Sequence, residues 1–101
     1  MQYVVTAWDG TDEGALDRRL ATRPRHLERI EPFVDSGKAL VGGAILDGGG
    51  RMIGSVLVMD FETRDALDDW LRNDPYTTEG VWQRVDVFPY HAAVGAWMPE
   101  A

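Results

Sequence analysis

The chain has 101 residues with 10 basic and 17 acidic side chains, a formal charge of −7, 45% hydrophobic residues and no cysteine. At this size folding hides about 60–68% of the surface the unfolded chain exposes, enough for one core with little surplus, so two domains are excluded and self-association would help. The acidic balance excludes nucleic acid as the main partner, and the missing thiols exclude disulfides, thiolate nucleophiles and thiolate metal sites.

His26 and His91 are too far apart in the chain to give a metal-ligand spacing, so no metal is expected. The first residues, Met1-Gln2-Tyr3-Val4-Val5, have no basic segment ahead of an apolar core, and no apolar run approaches the roughly 20 residues that span a bilayer. The expectation is a cytosolic protein with no membrane association.

In chain order, residues 3–8 are aromatic and β-branched and end at the turn dipeptide Asp9-Gly10, which predicts a first strand. A helical region follows over 15–36, with a break or restart expected near Thr22, a residue able to cap a helix whose first turn holds Pro24. Gly37 stops it. Leu27, Ile30, Phe33 and Val34 recur at helical spacing as an apolar stripe, with Arg18, Arg25 and Arg29 together on another face. Residues 39–46 and 52–61 flank Asp47-Gly48-Gly49-Gly50 and predict a hairpin, since glycines supply the positive φ of a tight reversal. The same glycines are a poor phosphate loop, because no helix N-terminus follows them.

Thr63 can cap a second helix running to Arg72, with Ala66, Leu67, Trp70 and Leu71 inward. Residues 82–93 form a last strand region in which Pro89 suits an edge or a bulge. No repeat or linker interrupts the series. The order βαββαβ is the split βαβ of a ferredoxin-like α+β fold, with both helices on one face of a four-stranded antiparallel sheet. The other face should then alternate apolar with polar residues, yet Val56-Leu57-Val58-Met59 is continuously apolar and Tyr3-Val4-Val5 nearly so. A second copy of the chain, sheet against sheet, is the simplest cover.

Five of the ten basic residues, Arg18, Arg19, Arg23, Arg25 and Arg29, fall in one stretch of this acidic chain, which gives either a local positive surface for a small anion or a solvated face balanced by Glu28 and Glu31. His26, at 100° per residue, sits about 50° from the centre of the apolar stripe, at the boundary between buried and exposed, with Arg23 one turn earlier on the same side. It is either a packed histidine bonded to a backbone carbonyl or a general base. Asp74 before Pro75 is a good N-cap for a short turn through Glu79, and equally a carboxylate that could fix the tautomer of a catalytic His. Ser55 lies mid-strand beside Gly54, where the absent side chain allows close approach of a ligand or of another backbone. Asp9 ends the first strand as a turn former or a pocket residue, and His91 has no acidic or nucleophilic neighbour and reads as structural or exposed.

The series Arg23-Pro24-Arg25-His26-Leu27, then Gly54-Ser55, then Asp74-Pro75-Tyr76 followed by Gly80-Val81 resembles the YciI-like (YCII-related) family across nearly the whole chain. The resemblance implies a ferredoxin-like fold forming a dimeric α/β barrel, with an active site around His26 and Asp74, Asp9 as the second choice of carboxylate, and Arg23 and Ser55 in the same pocket. It also implies a single YCII-related domain over 1–101, and the chain departs from the family's pattern at its C-terminal extension, 91–101, which could add a swapped edge strand or close the pocket, with Trp97 able to reshape the cavity and so alter the substrate. One branch of that family resembles enzymes that remove chloride from chlorinated hydroxyhydroquinones. The expectation is therefore a cofactor-independent lyase or isomerase that uses a His/Asp dyad for proton abstraction, isomerisation or elimination on a small anionic or phenolic substrate. Two alternatives stay open: a non-catalytic metabolite-binding or regulatory dimer, and an interaction subunit whose apolar sheet face meets a different protein.

Overall fold

The computed structural model describes residues 1–98. The elements run β1 (Gln2–Asp9), α1 (Ala15–Asp35), β2 (Ala39–Leu46), β3 (Met52–Asp60), α2 (Arg64–Asn73), α3 (Pro75–Thr78) and β4 (Trp82–Tyr90). The strands form one antiparallel sheet in the order β2-β3-β1-β4, which is the ferredoxin-like α+β arrangement. β4 is an edge, where Pro89 costs no central ladder bond.

Because strand side chains alternate, register decides which residues meet the helices. Tyr3, Val5, Ala7 and Asp9 of β1 are buried, and opposite them on β3 stand Met59, Leu57 and Ser55. Phe61 and the α2 residues Leu67, Trp70 and Leu71 close this core from above, with Phe33 of α1 against Phe61 and Trp70. Full burial of a side chain such as Leu57 or Leu67 contributes about 1.5–3 kcal/mol.

Two helix ends follow their local chemistry. Thr63 Oγ1 accepts the Ala66 N–H at 3.1 Å and starts α2. α1 stops at Gly37, whose φ of 79° lets Lys38 N donate to Phe33 O at 2.8 Å and Gly37 N to Val34 O at 3.1 Å, a Schellman closure. In the hairpin, Asp47 Oδ1 accepts from Gly49 N and Arg51 N, and Gly50 takes the positive φ.

Two expectations about α1 are corrected. The helix does not break near Thr22: that hydroxyl donates to Arg18 O at 2.8 Å within the helix, and Pro24 is accommodated in an unbroken span. The buried stripe is also rotated, running through Ala15, Arg19, Thr22, His26 and Ile30, while Leu27 and Val34 are 43% and 53% exposed. His26 is thus buried and not at a boundary. Periodicity counts polar side chains as outward, and here three of them face the sheet.

The face of the sheet opposite the helices carries Val41, Val56, Trp8, Phe88 and Tyr90, all exposed, around a buried Val58. The run Val56-Leu57-Val58-Met59 therefore serves two apolar surfaces, one inside and one open. After β4, residues 91–98 contain no strand; Ala92 N donates to Gln2 Oε1 at 2.8 Å, and His91 and Trp97 are exposed. The extension expected over 91–101 is described as far as residue 98, and residues 99–101 lie outside the described part.

Candidate functional site

The site begins with Asp74, where two local requirements meet. Its carboxylate caps α3 by accepting Tyr76 N–H at 3.0 Å, as Asp-Pro at a helix start favours. The same side chain, fully buried, accepts from His26 Nδ1 at 2.8 Å and from Arg29 Nη1 at 3.1 Å. One carboxylate therefore both caps α3 and bonds the His26 ring. An ionised carboxylate only accepts, so the His26 proton on this side is assigned to Nδ1, and in the neutral ring Nε2 keeps its lone pair.

His26 is held in plane by aromatic neighbours. The Tyr76 ring stacks on it at 4.0 Å between centroids and 16° between planes, and Trp82 meets it edge-on at 5.8 Å. α1 brings His26, α3 brings Tyr76 and the start of β4 brings Trp82, so three elements distant in sequence fix one imidazole. Burial pushes the Tyr76 phenol above its ordinary range, and it stays a neutral hydroxyl at neutral pH.

A second cluster adjoins the first. Arg19 Nη1 donates to both oxygens of Asp9, at 2.8 and 3.0 Å, and Arg19 Nη2 donates to Ser55 Oγ at 2.7 Å. Trp82 Nε1 also donates to Ser55 Oγ, at 3.2 Å. With two donors already on its oxygen, Ser55 has its own hydroxyl proton left to offer. Burial raises the Asp9 carboxyl above its usual range, against the opposing pull of Arg19. The Arg19 guanidinium lies 4.8 Å over the Tyr76 ring and ties the two clusters together, and its buried Nε–H has no partner among the described residues.

Both clusters border a cavity of about 220 Å³ between α1 and β2. Arg19, Arg23, His26, Ser55 and Tyr76 line one end of it. The floor is bare because β2 presents Gly42 and Ala44 beneath the helix, opposite Leu57 and Ser55. Gly54 is needed for a different reason, since a Cβ there would lie 2.5 Å from Ala7 O: its absent side chain admits the neighbouring strand and not a ligand.

Of the residues singled out in the sequence, His26, Arg23 and Ser55 line the cavity, and Asp74 stands behind His26. Asp9 does not line it; its carboxylate is taken by Arg19, through which it acts on Ser55. Trp97 does not reach the cavity either. Sequence reasoning places Arg19 and Arg29 only in a general basic stretch, without partners, and does not single out Trp82. The spacing of Arg19, Thr22 and His26 at intervals of three and four was the available signal for Arg19, whereas Trp82 and Arg29 meet their partners only through the fold. Among the described residues no group of His, Asp and Glu is placed to hold a metal ion, and no helix is long and apolar enough to cross a membrane.

Comparison with known proteins identifies the family and the fold. A family model described as the YCII-related domain matches residues 1–91. Protein YciI of Escherichia coli O6:H1 is 35% identical over 96 residues, covering 89% of this chain and 96% of its own. Among solved structures, 5-chloro-2-hydroxyhydroquinone dehydrochlorinase (TftG) from Burkholderia phenoliruptrix AC1100, in complex with 2,5-dihydroxybenzoquinone, superposes with a TM-score of 0.80 at 29% identity, over 90% of this chain and 94% of that one. A dimeric ferredoxin-like protein from Jannaschia sp. CCS1 shares the fold, with a TM-score of 0.53 at 13% identity over 90% of this chain and 98% of that one.

Proposed function

This chain belongs to the YCII-related family, and on that premise we propose that it is a cofactor-independent enzyme acting on a small anionic or phenolic substrate, with His26 and Asp74 as its acid–base dyad. The observation that carries the reading is the His26 imidazole in the cavity wall, its Nδ1 on a fully buried carboxylate and its other nitrogen left to meet a ligand. The similar TftG, a dehydrochlorinase with a quinone bound, lends the substrate class its support.

In this mechanism neutral His26 takes a proton from the substrate at Nε2, and Asp74 stabilises the imidazolium through Nδ1–H. The electron pair left behind either expels a leaving group, giving elimination, or is reprotonated by the same imidazolium at a second carbon, giving isomerisation. Ser55 O–H and the Arg23 guanidinium hold the oxygen on which negative charge grows. Arg19 fixes Ser55 and adds positive charge behind it.

The test is turnover of a panel of hydroxylated quinones, halogenated phenols and lactones by the wild type and by His26→Gln. Turnover should fall by about 10²–10⁴ in the variant with its melting transition retained. Equal rates in the two proteins would remove His26 from the chemistry, and saturable binding without product would make the chain a metabolite-binding module instead.

The open sheet face is proposed to pack on a second copy, since Val41, Val56 and Phe88 leave an apolar surface facing water on a small domain. Sedimentation at micromolar concentration should give the mass of a dimer, and Phe88→Asp should give a monomer. A wild-type chain that sediments as a monomer would overturn this.

A further inference from the structure

The cavity is polar at one end only. Along α1 its lining passes from Arg19, Arg23 and His26 to Leu27, Ile30 and Val34. β2 runs back beneath the helix, so Ala44 lies under the first group and Ala39 under the second. On β3 the same gradient appears as Ser55 and then Leu57, two residues further along. From His26 to Val34 is about 12 Å of helix at 1.5 Å per residue.

Two features show what such a space would accept. Among the described residues no acidic side chain lines it, although the chain carries 17 carboxylic residues, and the charged groups that do are the arginines Arg19 and Arg23. Arg23 makes no hydrogen bond to any described side chain, so its charge is available at the mouth, whereas Asp9 and Asp74 are occupied by Arg19, His26 and Arg29. The far end is apolar and incompletely filled: Leu27 and Val34 are 43% and 53% exposed on its wall, and small residues on β2 leave its floor low. At Gly42 a Cβ would lie 2.8 Å from Leu57 Cδ2, so the glycine lets Leu57 lean across the strand as part of that floor. At about 220 Å³ the cavity is smaller than the 300–1,000 Å³ pockets that enclose drug-sized ligands, and its apolar end opens to solvent beside Leu27 and Val34, so a tail laid there is partly covered and partly in water.

We infer that the substrate is an amphipathic anion, with an acidic or phenolic head at His26, Ser55 and Arg23 and an apolar tail of several carbons lying between α1 and β2 against Ile30, Val34, Ala39 and Leu57. This rests on the proposed role of the His26 end and adds a tail subsite to it. The gradient sets head-to-tail orientation: a reversed ligand would place its charge against Ile30 and Leu57 with no donor to meet it, and desolvated charge without a partner is strongly disfavoured.

Titration calorimetry with 2-hydroxybenzoate and its 5-methyl, 5-propyl and 5-pentyl derivatives tests this. Affinity should rise two- to fourfold with each tail carbon, the range expected of partly to fully buried methylenes. Val34→Asn, a neutral change at an exposed position, should reduce the ratio of pentyl to parent affinity at least threefold, and Arg23→Gln should weaken all four compounds by a similar factor. A parent that binds in a His26-dependent manner with a flat alkyl series would overturn the tail subsite and leave the acid–base reading standing. A rising series that Val34→Asn does not touch would place the tail elsewhere and overturn it too. Failure of all four compounds to bind would remove the anion site on which both depend.

Discussion

Asp74 and Asp9 are both buried carboxylates held by an arginine, but they differ in what else they touch. Asp74 bonds an imidazole, a group that gains and loses a proton near neutral pH, and through it reaches the cavity. Asp9 bonds only the permanently charged Arg19, and through it orients the Ser55 hydroxyl. The first arrangement can move a proton; the second can only place charge and a donor. Two buried carboxylates beneath one helix thus reach the cavity through different side chains, an imidazole in one case and a guanidinium with a serine hydroxyl in the other.

The strongest way to break this contrast is at Asp74, because it has three donors and no exposure. Asp74→Ala should cost about 3–5 kcal/mol in chemical denaturation, as expected when one partner of a buried charge network is removed and a helix cap is lost with it. Asp74→Asn, which keeps an acceptor for Tyr76 N, should recover part of that stability and none of the turnover. Recovery of turnover in the Asn variant would show that the carboxylate charge is not needed by His26.

Asp9→Asn sharpens the contrast with a smaller effect. It leaves the Arg19 charge buried beside a neutral amide and should cost about 1–3 kcal/mol. Turnover should drop through a displaced Ser55, while the pH dependence of the rate keeps its shape, because no titrating partner of His26 has changed. A shifted profile in Asp9→Asn would mean that the two carboxylates act as one coupled unit.

How far each carboxylate was legible depended on its neighbours in sequence. Asp-Pro-Tyr announces a capped turn, and the order of His26, Ser55 and Asp74 along a βαββαβ chain points to a known family. Asp9 looked like a pocket residue because nothing local reveals that Arg19, ten positions later and on another element, takes both its oxygens.

The sequence by itself determined the strand and helix order, the hairpin at Asp47-Gly48-Gly49-Gly50, the stop at Gly37 and the apolar open face, all of which follow from periodicity and turn chemistry within a few residues. Tertiary structure alone decided the rotation of α1 about its axis, and with it the burial of Arg19, Thr22 and His26 in place of Leu27 and Val34. The physical reason is that Arg19 and His26 face the interior because Asp9, Ser55 and Asp74, brought to α1 only when the fold closes beneath it, satisfy them, while Thr22 bonds Arg18 O within the helix.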